Sequence, residues 1–284
     1  MNTILVLTDF SKRAEHAAEF ALTVAKKTNS EILLYNAVFT PNVVPAETTP
    51  PYLETRNTFE QSAQKLENLT KKLVTKSQAL DDESFSPVIN YLNEIGSITG
   101  NVPNLLARRK IWMIIMGDKS KEGMLDRFIL GSDTYYIVEK SKCPVILVPE
   151  NVYLTPLKKI AFATDLFDPD YNVLEFVADF ARHFEAEITV IHVTAKSKEN
   201  NAETAAKFEE MKARVDYPNM LYEEIRGEKI AKALAEFSQI EHVDMLVMIH
   251  KHRPFFERIF HASKTKELMN YHKVPLMIFP NVFI

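Results

Sequence analysis

The chain lacks the features that would place it in a membrane, in an oxidising compartment or on a nucleic acid. Its 284 residues include a single cysteine, Cys143, so no internal disulfide can form. No apolar run approaches a membrane span, and the N-terminal run Ile4–Leu7 is too short for a signal peptide. A formal net charge of −4 leaves no basic excess to hold a polyanion. We therefore expect a cytoplasmic protein with no membrane and no nucleic acid partner.

What the sequence does contain is an internal duplication. Similar segments open and close its two halves: ILVLTD at 4–9 and CPVILVP at 143–149, then IAFATD at 160–165 and VPLMIFP at 274–280. Each half has the length of an ordinary domain with a core of its own. We therefore predict two domains, residues 1–150 and 156–284, and call them the first and the second repeat.

Both repeats alternate short apolar strands with helices, which predicts an α/β fold with parallel strands covered by helices on both faces. For the first repeat we predict strands at 3–7, 32–38, 85–91, 112–116 and 145–148, helices from 11 and at 59–74, 98–109 and 134–141, and a proline-rich loop over 40–58. For the second we predict strands at 159–163, 187–193, 220–225, 244–249 and 275–279, and helices at 170–183, 202–214, 228–239 and 264–271.

In a doubly wound sheet, ligands bind at the carboxyl ends of the strands, where the strand order reverses. If the first strand lies beside the fourth, Asp9 and the loop after Met116 border this crevice. The two repeats differ there. The first has Gly117 and the pair Gly131-Ser132, whereas the second has His250 and the pair Ala262-Ser263. Any small-ligand function should therefore be asymmetric.

The chain resembles the universal stress protein family in its tandem, two-domain form. The residues that carry the resemblance are VLTDFS at 6–11, Met116-Gly117, Gly131-Ser132 and the Cys-Pro-Val ending of the first repeat. The resemblance implies two flavodoxin-like or Rossmann-like five-stranded parallel sheets of order 3-2-1-4-5, related by a pseudo-twofold axis. It also implies a loop of the form Gly-two residues-Gly-nine residues-Gly-Ser in members that bind nucleotide.

By this resemblance the first repeat would hold ATP or another adenine nucleotide. Asp9 would face the adenosine part, Val38 would line the base pocket, and the loop after the fourth strand would hold the phosphates. The residues implied for that loop are Met116, Gly117, Ser120, Gly131 and Ser132. Glycines let backbone N–H groups approach phosphate oxygens, and a helix N-terminus adds a favourable dipole. The loop departs from the family pattern in two ways: Ser120 replaces the second glycine, and ten residues, not nine, separate Ser120 from Gly131.

The second repeat departs from the pattern completely. His250–Phe256 replaces the glycine loop, its aromatic residues are apolar enough to fill the crevice, and Pro254 removes a backbone donor. We interpret this repeat as a structural or interaction half. His250 and His252 have no closely spaced cysteine or acidic partner, so we predict no metal site.

The last strand of each repeat, at 145–148 and 275–279, would lie at a sheet edge, and each is apolar at consecutive positions. Such an edge tends to pair with another strand. We expect the two to pair within one chain as an intrachain pseudo-dimer, which leaves a homo-oligomer open.

The favoured interpretation is a regulatory, non-enzymatic stress-response module with an adenine nucleotide site in the first repeat and an unknown protein partner. Two alternatives are a protein-interaction scaffold that binds no nucleotide, and a weak nucleotide hydrolase. Asp9 and Asp165 could act as bases, but neither has a readable partner. A hydrogen bond from the start of the following helix explains each of them equally well.

Overall fold

The structure is a computed structural model, and it describes ten segments of the chain: residues 1–39, 51–79, 85–118, 132–150, 152, 156–164, 170–194, 201–227, 230–250 and 274–280. The predicted helix at 264–271 lies outside these segments. Within them the predicted α/β class is confirmed.

Strands and helices alternate through both repeats. In the first repeat they are β1 Thr3–Leu7, α1 Lys12–Thr28, β2 Glu31–Val38, α2 Pro51–Ala79, β3 Ile89–Ile95, α3 Ile98–Arg108, β4 Ile111–Gly117, α4 Ser132–Lys140 and β5 Val145–Val148. In the second they are β6 Lys159–Ala163, α5 Asp170–Arg182, β7 Glu187–Thr194, α6 Asn201–Arg214, β8 Met220–Arg226, α7 Ile230–Ile240, β9 Met245–Ile249 and β10 Leu276–Phe279.

The chain divides into two compact units, Met1–Gly117 (unit 1) and Asp118–Ile284 (unit 2). Unit 1 holds four parallel strands in the order β3-β2-β1-β4. Residues 4–6 of β1 are completely buried, because neighbouring strands and helices enclose this central strand. The unit boundary follows the packing of the chain, and the predicted domain limits at 150 and 156 stay a prediction.

The described residues of unit 2 form six strands in the order β5-β10-β9-β6-β7-β8. The four contacts from β10 to β8 are parallel, whereas β5 runs antiparallel to β10. In this pair Leu147 lies opposite Leu276, and Val145 lies opposite Ile278. The expected pairing of the two closing strands is therefore present, and the apolar residues of both strands are buried.

The duplication extends to individual backbone hydrogen bonds. The N–H of Thr8, just after β1, donates to the carbonyl of Tyr35 at 2.9 Å. In the second repeat the N–H of Thr164, just after β6, donates to the carbonyl of Ile191 at 3.0 Å. Because the same bond closes the first strand of both repeats, their backbones share one framework where the candidate site begins.

Two capping residues fix the ends of helix α1, which connects β1 to β2. Ser11 caps its N-terminus and accepts a hydrogen bond from the N–H of Ala14 at 3.4 Å. Asn29 ends the helix in the left-handed conformation, with φ 50°, which an asparagine tolerates well. Alanines and other apolar residues between these caps face the sheet and are buried.

Two predicted elements differ from the structure by more than two residues at an end. The loop predicted over 40–58 is wrong from residue 51 onward, because α2 begins at Pro51 and not at 59. A proline fits the first turn of a helix, where its missing N–H has no intrahelical acceptor. The third strand is Ile89–Ile95 and not 85–91, because Pro87 cannot donate to the ladder and pairing with β2 starts at Ile89.

Cys143 lies just before β5 with 6% of its surface exposed, and burial raises the pKa of its thiol to about 12. Only the thiolate attacks a disulfide reagent. We therefore expect native protein to react slowly with Ellman's reagent at pH 8. Urea-unfolded protein should react at once and release one equivalent of the reagent's coloured thiolate per chain. Rapid labelling of folded protein, with its circular dichroism unchanged, would contradict this placement.

Candidate functional site

The four described candidates of unit 1 lie at the carboxyl edge of its sheet. Leu7, the last residue of β1, pairs with Tyr35 of β2 on one side and with Met116 of β4 on the other. Asp9 follows β1 by two residues, and Gly117 ends β4. The register therefore brings the ends of β1 and β4 side by side, as the crevice expected from the sequence requires.

Val38 lies at the same edge, on the side of β3. It ends β2, pairs with Ile95, and its carbonyl accepts a hydrogen bond from the N–H of Gly96 at 3.0 Å. Its side chain is buried. Asn36, two residues earlier, is the β2 side chain that reaches the end of β1, where its amide donates to the carbonyl of Thr8 at 2.7 Å.

Asp9 is held by the start of the following helix. Its Oδ1 accepts a hydrogen bond from the N–H of Ser11 at 3.0 Å and another from the hydroxyl of Ser11. Its other oxygen lies 3.6 Å from a guanidinium nitrogen of Arg13, and 40% of its side chain is exposed. The capping role considered for Asp9 is thus present, and the carboxylate still reaches solvent at the sheet edge.

The turn between β1 and α1 has an unusual backbone. Phe10 adopts φ 61°, a left-handed conformation that is rare for a bulky side chain. Two contacts hold it: its N–H donates to the hydroxyl of Thr8 at 3.0 Å, and Nζ of Lys65 lies 5.5 Å from the centre of its ring. Such strain persists where surrounding contacts overdetermine it, which often happens at ligand sites.

The packing of helix α1 against the end of β4 requires a glycine at position 117. A Cβ at this position would lie 2.8 Å from both the carbonyl carbon and the carbonyl oxygen of Arg13. Real Cβ atoms do not approach backbone that closely. The missing side chain therefore lets the first turn of α1 rest directly against the end of β4.

A buried polar network beside this turn escaped the sequence analysis. The hydroxyl of Ser62, on α2, lies 2.8 Å from Oδ1 of Asn36 and 3.0 Å from Oδ1 of Asn93, and it can donate to one of them at a time. Asn93 in turn donates to the carbonyl of Phe59 at 3.0 Å. The two asparagines are register partners on β2 and β3. A polar residue inside the apolar run of β2 was the signal that could have revealed the network.

The other predicted site residues belong to unit 2. Ser132 is the first residue of α4, while Ser120 and Gly131 lie outside the described residues. Within unit 2, the N–H of Asp118 donates to the carbonyl of Val148 at 2.9 Å. The predicted role of these residues in holding phosphates stays a prediction.

In the second repeat, histidines occupy two of the matching positions. His192 corresponds to Asn36, and its Nδ1 lies 3.1 Å from the carbonyl of Thr164. Since a carbonyl only accepts, Nδ1 carries the proton in this contact. His250 corresponds to Gly117 and is 7% exposed, and its ring meets the ring of Tyr135 edge to face at 6.0 Å. The residues Phe255 and Phe256, predicted to fill this crevice, lie outside the described segments.

The described segments contain neither a metal-binding cluster nor a membrane-spanning helix. Among those residues no three histidine, cysteine or acidic side chains are grouped as a metal would need. None of the helices in the described part of the chain is long and apolar enough to cross a membrane.

The model of the universal stress protein family matches the chain twice, over residues 1–149 and 156–280. The chain belongs to the universal stress protein family. Both matches together confirm the tandem form predicted from the sequence. A comparison of this universal stress protein with curated proteins gives no significant match.

Solved structures agree with this assignment. A universal stress protein from Archaeoglobus fulgidus DSM 4304 is similar with a TM-score of 0.72 at 16% identity, over 98% of this chain and 96% of that one. A functionally unknown protein from Pseudomonas aeruginosa PAO1 is similar with a TM-score of 0.60 at 14% identity, over 99% and 93%. At such identities the likeness establishes the fold alone. A universal stress protein in complex with cAMP matches 52% of this chain at 18% identity, with a TM-score of 0.38.

The contact at Gly117 gives a testable prediction. Because the added Cβ would press on the backbone of α1, Gly117→Ala should lower the free energy of unfolding by about 1–3 kcal/mol, measured by urea denaturation. Gly100→Ala is the matched control, since the nearest atom to its added Cβ is the side-chain hydroxyl of Ser97, at 3.0 Å. We expect that variant to stay within about 1 kcal/mol of the parent. Equal stability of both variants would contradict the close approach.

Proposed function

We propose that this universal stress protein is a cytoplasmic, non-enzymatic regulatory module that binds one adenine nucleotide per chain through its first repeat. Asp9, Val38, Met116 and Gly117 are the proposed contacts at the sheet edge of unit 1, and Ser120, Gly131 and Ser132 are those proposed for the loop and the helix that follow. The nucleotide would act by favouring one state of the surface around Asp9, which a partner protein then recognises.

The observation that carries this proposal is the pairing of Leu7 with Met116, which puts a half-exposed carboxylate and a glycine at adjoining strand ends. A carboxylate can accept hydrogen bonds from the hydroxyl or amino groups of adenosine. A residue without a side chain leaves the backbone open to a phosphate chain. In the second repeat a buried histidine ring replaces that glycine, which supports a single site in the first repeat.

One observation favours a second candidate, an interaction scaffold without a nucleotide. Asn36, Ser62 and Asn93 fill the β2 and β3 side of the edge with the protein's own hydrogen bonds. A purine that needed this space would have to break those bonds, and a buried polar group left without a partner costs about 1–3 kcal/mol. A purine beside Val38 must therefore leave these hydrogen bonds in place.

Titration calorimetry with ATP, AMP and cAMP tests the two candidates. We expect one site per chain for at least one of these ligands. Asp9→Asn should weaken that ligand about tenfold, because it removes the charge of the carboxylate but keeps an oxygen that can accept from Ser11. The introduction of a negative charge into the loop, by Gly131→Asp, should weaken ATP more than cAMP because ATP carries more charge.

The duplication supplies the matched control. Asp165→Asn makes the same change at the corresponding position of the second repeat, and we expect it to leave the affinity unchanged. Equal losses from both aspartate variants would place binding in both repeats. No heat from the folded parent protein with any of the three ligands would reject nucleotide binding and favour the scaffold.

A further inference from the structure

Arg13 occupies an unusual place in unit 1, between the two residues that carry the proposed function. Its backbone lies against Gly117, where only a glycine permits such an approach. Its guanidinium extends toward Asp9, one helical turn back along the chain. The first turn of α1 therefore presents a positive charge at the adjoining ends of β1 and β4.

Among the described residues, the Arg13 guanidinium has few partners. The carboxylate oxygen of Asp9 is 3.6 Å from it, which is too far for a hydrogen bond. In the described part of the chain no hydrogen bond engages the Arg13 side chain, which is 29% exposed. Asp9, by contrast, already accepts two hydrogen bonds from Ser11. An exposed pair at this distance contributes little to stability, so folding alone gives no strong reason for an arginine here.

The second repeat lacks this charge. Aligning Asp9 with Asp165 places Lys12-Arg13 opposite Asp168-Pro169, so two basic residues correspond to an acidic residue and a proline. The difference accompanies the change from Gly117 to His250. Positive charge at the start of the first helix therefore occurs in the repeat that keeps the glycine.

We propose that Arg13 binds the phosphate groups of the nucleotide, and so makes the first-repeat site prefer ligands with a longer phosphate chain. This inference rests on the proposed function. A guanidinium presents five N–H donors in a planar fork that matches two phosphate oxygens at once. Such a side chain compensates for a loop in which Ser120 replaces a glycine, because it supplies donors that do not depend on close approach of the loop backbone.

A simpler role would be to offset the negative charge of Asp9, and the two roles predict different ligand dependence. If Arg13 contacts phosphate, Arg13→Gln should weaken ATP by roughly tenfold or more and adenosine by less than about twofold. If it only acts on Asp9, the variant should change the affinity for ATP and adenosine by the same factor. Dissociation constants for ATP, AMP and adenosine, measured by calorimetry in one buffer, distinguish these outcomes.

Lys12→Gln is the matched control, because it removes the same charge from the adjacent, exposed residue of the same helical turn. We expect it to change ATP affinity by less than about twofold, as for an exposed, screened charge. Arg13→Lys keeps the positive charge but lacks the planar guanidinium, so its affinity for ATP should lie between those of the parent protein and Arg13→Gln. Thermal unfolding of each variant checks that the fold is unchanged.

The outcomes separate this inference from the function on which it rests. If the parent protein binds none of the adenine compounds, the proposed function fails. If the parent binds ATP and Arg13→Gln loses no more ATP affinity than Lys12→Gln, the function stands and the role of Arg13 is wrong. Equal losses for ATP and adenosine would likewise overturn the phosphate contact.

Discussion

The parallel pairing of β1 with β2 on one side and β4 on the other is the constraint on which the rest of unit 1 depends. Each backbone group of a buried central strand must find a partner, so the register of these pairs cannot slip without losing hydrogen bonds and exposing apolar side chains. Because Leu7 pairs with Tyr35 on one side and with Met116 on the other, Asp9, Asn36 and Gly117 lie toward the same edge of the sheet. The candidate site is a consequence of that register.

The two repeats show how one backbone framework carries different chemistry. The bond that closes β1 recurs at the end of β6, but the side chains around it have diverged. Asn36 is replaced by His192, and each contacts the carbonyl of the threonine that follows the first strand. His250 likewise replaces Gly117. Both substitutions lie toward the carboxyl edge of the strands, where ligands bind in this fold.

Gly117 has a packing role that does not depend on its proposed role in binding. The close approach of α1 to β4 already requires a glycine there, whether or not a nucleotide binds. The same approach brings Arg13 to the site, so a change that fills the position would displace the charge as well. In the second repeat a buried histidine in contact with Tyr135 takes this place. A glycine at this turn is thus no proof of a phosphate loop, and the positive charge beside it is the more specific feature.

Much of the fold could be predicted from the sequence, because runs of apolar residues and helix caps act locally. β1, β5 and β6 have the predicted limits, and Ser11 caps α1 as its position before an apolar-periodic segment indicates. The duplication and the family followed from such local patterns. The start of α2 at Pro51 could not be predicted in this way, because proline is compatible with both a loop and a first helical turn. The shift of β3 to Ile89 could not be predicted either, because the limits of a strand depend on its partner. Only the tertiary structure decided that Asn36 meets Ser62 and that the backbone of Arg13 lies against Gly117, since these contacts join segments whose spacing along the chain carries no information about their distance in space.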